Sequence, residues 1–559
     1  MNPRQIFIIA AAGFLVASAF ADMPERLEID QVFADYDSTR SPGCSMAVFH
    51  EGEIAYARGY GMANLEYGIA NGPNTVFRIA STSKQFTAMA IALLAEQGAL
   101  SLDDDIHKFF PELPTYDEPV TVRQLIHHTS GLRDYLVLAW AADWTEDYSV
   151  DELLQMTVRQ QELNFTPGTE HLYSNTGYFL LSQIVQIVTD QTLSEWSDEN
   201  MFRPLNMTST HFHDDHTHIV ENRADGYESS ENGAFKISMT ILDMVGDGGI
   251  YTTVEDLLKW DQNFYDNQLG NGDPGLIDLV QTPGKLNNGD ELDYAFGLGV
   301  GEYRGTREIA HGGSFVGYRA GLNRYPDHRL SVAVLCNNAD TYPTGLARRV
   351  ASLFLNKKED KGDSTDQVEP QPKEVGNVVD VSVTDLERLV GDYWHAEDLT
   401  LRSIVVDEGS LFYGRGGDNR SKLDPVGNDR FLVADVPMAV SLRFEPPGEK
   451  PQALIVEVEG EEPFRLEAFE RAKLSAKELS AYAGSYYSDE LDYVLVLRTG
   501  GEKIVADRRI ENMPFQPLQK DIFMADTGAV LMYERNADGG VGGLRLNAGR
   551  VRNVKFIRQ

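Results

Sequence analysis

Two blocks of strand-like alternation, residues 44–60 and 294–337, bracket a long helical stretch, and that order constrains the fold more than any other feature of the chain. The first block alternates as a strand pair around Glu51-Gly52-Glu53. Extended patterns return over 296–303, 307–311, 318–325 and 330–337, and a helical pattern over 345–356 closes the unit. Strands at both ends with helices between fit an α+β unit, an antiparallel sheet flanked by helices.

Within the helical stretch, residues 81–97 place Phe86, Met89, Ala90, Leu93 and Leu94 on one face until Gly98 stops the pattern. Ser81-Thr82-Ser83-Lys84 opens this helix and stacks a lysine one turn above a serine. A serine is a poor nucleophile at neutral pH until a base takes its proton, and a lysine with a depressed pKa can be that base. Alone, S-x-x-K also describes a capped helix with a surface lysine. Two further segments lift it. Tyr173-Ser174-Asn175 follows the turn Thr166-Pro167-Gly168-Thr169 and precedes an apolar helix over 178–188, and His311-Gly312-Gly313-Ser314 lies between two strand-like segments.

S-x-x-K, then Y-x-N, then a (K/H)-x-G box in this order resembles the serine β-lactamase and penicillin-binding-protein superfamily, in its class C and D-aminopeptidase branch. Phe77-Arg78-Ile79-Ala80, Leu125-Ile126-His127-His128-Thr129-Ser130-Gly131-Leu132 and Pro204-Leu205-Asn206-Met207 agree with it. The resemblance covers roughly residues 40 to 355 and also implies the antiparallel sheet flanked by helices. It implies that Ser81 attacks a carbonyl and forms an acyl-enzyme, with Lys84 and Tyr173 sharing the proton as a coupled pair. Asn175 is expected to bind substrate and hold Lys84, although a helix cap also suits an asparagine there. His311 stands where β-lactamases carry a lysine, which weakens a β-lactamase assignment because histidine is only partly charged at neutral pH. Gly312 and Gly313 are expected to let their strand approach the substrate, with Gly313 and Ser314 completing the substrate-binding edge. The backbone N–H groups of Ser81 and Ser314 are the implied oxyanion hole. Ser314 is not itself a nucleophile candidate, because Gly312-Gly313-Ser314-Phe315-Val316-Gly317 is one residue too long for a nucleophile elbow. The implied sheet also sets the first strand beside the last, which brings Cys44 toward Cys336. In an oxidising compartment they could pair, although both otherwise read as small buried hydrophobes.

The chain has 559 residues, enough for about three domains. Arg4, the apolar run 6–17 and Ala19-Phe20-Ala21 read as a signal peptide over 1–21, so the protein is expected to be periplasmic or secreted, with no stable membrane insertion after cleavage. The hydrolase domain then spans 22–356, and a charged, proline-containing linker spans 357–380. Beyond it the chain repeats at an offset of 93 residues: Leu386, Gly391, Tyr393 and Glu397 align with Leu479, Gly484, Tyr486 and Glu490. Phe431-Leu432-Val433-Ala434-Asp435 is matched by Phe523-Met524-Ala525-Asp526. The copies, 381–472 and 473–559, predict two antiparallel, lipocalin-like β-barrels. This layout resembles the superfamily's D-aminopeptidases; esterases and other hydrolases of the superfamily also carry such tails.

A net charge of −37 argues against nucleic acid and anionic membrane surfaces as partners. His211, His213, His216 and His218, with Asp214 and Asp215, read as a surface loop, and no metal is expected because the spacing is not that of helical zinc enzymes. His127 and His128 read as structural. The expected function is therefore an exported, cofactor-free serine hydrolase of amides or esters, with D-amino-acid peptides or amides as leading substrates. A broad-specificity esterase and a penicillin- or peptidoglycan-binding protein without turnover are the alternatives. The oligomeric state is left open.

Overall fold

The computed structural model describes residues 26–230, 232–355, 379 and 381–559, apart from 397, 417–418, 435–439, 448–449, 459–462 and 510. The expected signal peptide and nearly all of the expected linker lie outside the described residues, as do Glu397 and Asp435 of the repeat. The described chain forms two compact units. The first holds 26–131, 146–150 and 165–355; the second holds 132–145, 151–164 and everything from 379 onward.

The first unit is built on strands β1 (Cys44–His50), β2 (Glu53–Tyr60), β3 (Gly299–Tyr303), β4 (Thr306–Phe315), β5 (Tyr318–Tyr325) and β6 (Leu330–Cys336). They form one antiparallel sheet in the order β3-β4-β5-β6-β1-β2. Glu51 and Gly52 both have positive φ, which makes the tight turn that joins β1 to β2. Along β6 every residue is buried, as are all but the last of β1, because both faces of the sheet centre are covered. On one face Met46, Val48, Val332 and Val334 pack with helices α1 (Arg26–Val32) and α5 (Pro343–Leu355) through Ile29, Leu346 and Val350. On the other, Ser331 and Arg324 both donate to Asp261 at 2.7 and 2.8 Å, which ties helix α4 (Val254–Asn263) to the sheet.

Cys44 and Cys336 are register partners on β1 and β6 and are joined as a disulfide. The pairing implied by the resemblance is thus present. The crosslink fixes strands whose sequence separation is 292 residues, a long loop to constrain in the unfolded chain.

Helix α2 (Lys84–Glu96) is shorter than the sequence pattern suggested, because residues Ala80–Ser83 wind as a 3₁₀ turn before it. Its burial is also different. Every side chain from Lys84 to Leu94 is buried, so the helix runs through the core instead of lying on it with one apolar face. Gly98, at φ +73°, ends it, and the Ala99 N–H reaches back to the Leu94 carbonyl in a Schellman closure. Helix α3 (Asn175–Thr189) packs beside α2.

In the second unit, eight strands from Gly391–His395 to Phe464–Phe469 close one antiparallel barrel, and eight from Gly484–Ser488 to Val551–Arg558 close another. The sequence repeat has a physical basis. Ser382 and Ser475 each cap a short helix, and Tyr393 and Tyr486 each donate to the carbonyl four residues upstream, Leu389 and Tyr482. Two segments expected in the hydrolase domain, Leu132–Thr145 and Asp151–Asn164, belong to this unit. The buried Arg133 guanidinium pairs with Glu490 at 2.6 Å and donates to the Arg552 carbonyl, and Arg508 pairs with Asp143. Contacts to residues some 350 positions later carry no local signal in either segment.

Candidate active site

The Ser81 turn is held from three sides. Ala80 has φ +46°, an uncommon conformation for a residue with a Cβ, so the chain bends sharply just before the serine. Gly313 on β4 meets the turn directly: a Cβ there would fall 2.0 Å from the Ile79 carbonyl oxygen. The glycine thus lets β4 approach the serine turn, where the sequence reading had assigned that closeness to the substrate. Ser83 lies under the turn and accepts the Ile250 N–H at 3.1 Å.

One helical turn on, the Lys84 amine is fully buried and donates to the Asn175 side-chain oxygen at 2.8 Å and the Asp247 carbonyl at 2.6 Å. It also lies 3.5 Å from Ser81 Oγ. Asn175 is the first residue of α3, directly after Ser174 at the cap position. The expected hold on Lys84 is thus made by a direct hydrogen bond. Tyr173 sits beside them, its ring centroid 4.7 Å from the amine.

Behind Tyr173 lies a histidine–tyrosine stack. The His128 ring is 4.2 Å from the Tyr173 ring and 4.8 Å from that of Tyr294. His128 Nδ1 accepts the Ser174 N–H at 3.1 Å, so its proton sits on Nε2. Burial first, then the Lys84 charge, keeps this imidazole neutral, well below its usual pKa. His128 is thus structural, as expected, and its role is specific: it orients the segment that carries Tyr173 and Asn175.

His311 is also fixed as a neutral ring. Its Nδ1 faces the Gly312 carbonyl at 2.6 Å and must carry the proton, which leaves Nε2 to accept from the Tyr294 hydroxyl at 3.0 Å. Burial, then the nearby Lys84 amine, pushes its pKa down to about 4. The expected substrate contact of His311 therefore brings no positive charge at neutral pH. Ser314, three residues on, is exposed at the end of β4. Tyr294 and the Asp247 carbonyl were not legible as site groups. Neither sits in a recognisable box, and only the folded chain brings them to His311 and Lys84.

The histidine tract departs from the surface loop expected. His211 and Phe212 form a short strand paired with Ile250–Thr252, and His213 is buried against Tyr251. Apolar Phe212 draws the start of the tract inward; His216 stays outside and pairs with Asp243. Among the described residues no group of three or more His, Cys, Asp or Glu is arranged to hold a metal.

Burial pushes His127, His211 and His213, like His311, down to about 4. A histidine whose folded pKa lies below its unfolded value of about 6.5 takes its proton first in the unfolded chain. Stability is then full above about 6.5 and falls as the pH drops toward 4. Urea midpoints measured between pH 7 and 4.5 should fall steadily; a flat midpoint over that range contradicts this burial.

Residues 29–355 match the family described as Beta-lactamase, more than half of the chain. The chain belongs to the beta-lactamase family. A penicillin-binding protein of Bacillus subtilis (strain 168) is 27% identical over 402 residues, covering 68% of this chain and 86% of its own length. A D-aminopeptidase of Cereibacter sphaeroides is 25% identical over 538 residues, covering 93% of this chain and 96% of its own. The octameric penicillin-binding protein homologue from Pyrococcus abyssi shares the fold, with TM-score 0.56 and 24% identity, over 78% of this chain and 98% of its own. The family and the D-aminopeptidase relatives make this chain a beta-lactamase-fold hydrolase.

Proposed function

We propose that the protein is an exported serine hydrolase that forms an acyl-enzyme at Ser81 on amides or esters, with D-amino-acid amides and peptides as substrates. The observation that carries this reading is the Lys84 amine, buried and held by Asn175 and the Asp247 carbonyl within reach of the Ser81 hydroxyl. The amine also reaches the Ser81 hydroxyl, at 3.5 Å, the contact along which a proton leaving the serine would pass. Tyr173, beside the amine, shares the proton work. The backbone N–H groups of Ser81 and Ser314 receive the oxyanion. The D-aminopeptidase of Cereibacter sphaeroides, matched along 93% of this chain, supports the substrate class. The Cys44–Cys336 disulfide supports an oxidising compartment, hence a periplasmic or secreted location.

A neutral His311 suits a substrate that carries no carboxylate beside the scissile bond. D-Alanine amide should therefore turn over faster than a peptide ending in D-alanyl-D-alanine. His311→Lys adds a full cation, and should shift the ratio of kcat/KM values toward the carboxylate-bearing peptide by about tenfold, the worth of one charge-assisted hydrogen bond. Assays should include a short-chain nitrophenyl ester and a chromogenic cephalosporin, which separate esterase and penicillin-binding behaviour. A wild-type preference for the carboxylate-terminated peptide, unchanged in His311→Lys, overturns the substrate class.

A further inference from the structure

We propose that the cleft between the two barrels is a binding site for a small anionic ligand, recognised through carboxylate or phosphate groups. Both barrels belong to the second unit, and the cleft encloses about 860 Å³. That volume lies in the range of ordinary small-molecule sites.

The lining runs against the composition of the chain. Acidic residues outnumber basic ones 86 to 49 overall, yet among the described residues the cleft wall carries Arg402, Arg415, Arg420 and Arg471 against the one carboxylate of Asp526. Two of these arginines are already paired, Arg420 with Asp407 and Arg471 with Asp392. The other two differ. Arg402 donates to the Tyr413 hydroxyl and the Leu401 carbonyl, and Arg415 to the side chains of Asn419 and Ser421. Neither has a carboxylate among its described partners. A guanidinium presents donors in a planar fork that matches a carboxylate or phosphate edge, and it stays charged at any physiological pH.

The walls are fixed relative to one another. Trp394 of the first barrel packs with Leu518, Met524 and Val530 of the second in one buried cluster, joined by Leu399 and Leu401. At the rim a Cβ on Gly416 would lie 2.9 Å from the Asp526 carbonyl oxygen, so the two barrels meet there backbone to backbone. Leu399, Leu401 and Met524 belong both to this cluster and to the cleft wall, so the cationic groups line a site of set shape with an apolar floor. A ligand with one or two oxyanion groups on a compact apolar body fits that lining.

Calorimetric titration of the full-length protein with tri-glutamate and, separately, with pyrophosphate tests the site. At least one probe should bind saturably and weaken with added salt. Arg415→Gln, an exposed change that leaves the fold intact, and Arg402→Lys, which keeps the charge and loses the fork, should each weaken binding about tenfold. Tighter binding of tri-glutamate assigns the site to carboxylates, and of pyrophosphate to phosphates. Absence of saturable binding by both probes, or binding unchanged in both variants, overturns the proposal. Hydrolysis at Ser81 is measured separately, and its outcome bears on neither result.

Discussion

Ser81→Ala should lower kcat/KM for D-alanine amide by roughly 10⁴-fold or more, the scale on which removal of a covalent nucleophile acts. The alanine keeps the 3₁₀ turn, the Gly313 approach and the Lys84 contacts to Asn175 and Asp247, so the loss should appear in the chemical step and not in folding. Ser83→Ala is the matched control. Its hydroxyl accepts the buried Ile250 N–H, and losing that partner costs about 1–3 kcal/mol of stability. The Lys84 amine is held by Asn175 and the Asp247 carbonyl. Ser83→Ala should therefore melt earlier while keeping kcat/KM within about threefold of wild type, the opposite profile to Ser81→Ala. Equal loss of activity in both variants would show that the turn, and not the Ser81 hydroxyl, is what matters.

Lys84→Ala and Tyr173→Phe should each cost about 10³-fold in kcat, and the double variant should cost little more than either. The amine sits 4.7 Å from the tyrosine ring and 3.5 Å from the Ser81 hydroxyl, and in the proposed mechanism both groups handle the one proton that must leave Ser81. Groups that move one proton act as a unit, so removing the second adds little once the first is gone. Lys84→Ala also strips a donor from Asn175 and from the Asp247 carbonyl in a buried place. Its stability should fall too. Losses that multiply in the double variant would show two independent roles.

The three boxes were legible as motifs because helix and strand geometry is local. The i, i+3 relation of Ser81 and Lys84 follows from helical winding alone, and the two glycines of the third box mark a close approach before its partner is known. What that approach meets, the Ile79 carbonyl, depends on the packing of β4 on a turn some 230 residues away, and the sequence has no means to show it. Tyr294 and Asp247 were missed for the same reason. Their contributions, a hydroxyl to His311 and a main-chain oxygen to Lys84, exist only once distant segments meet. The barrels were legible through repetition, because a capped helix and a tyrosine bonded four residues back recur at the same offset. The placement of Leu132–Thr145 and Asp151–Asn164 was not, since Arg133 and Asp143 look like ordinary surface charges until Glu490 and Arg508 are brought to them. The histidine tract misled because polar composition was read as exposure, whereas strand pairing to Ile250–Thr252 carries its first residues inward.

Acylation of Ser81 should be visible in the site of covalent labelling. Wild-type protein treated with a fluorophosphonate probe, then analysed by intact mass and peptide mapping, should gain one adduct on the peptide containing Ser81. Ser83→Ala should label in the same place, and Ser81→Ala should not label at all. An adduct on any other serine, or labelling that persists in Ser81→Ala, contradicts the account.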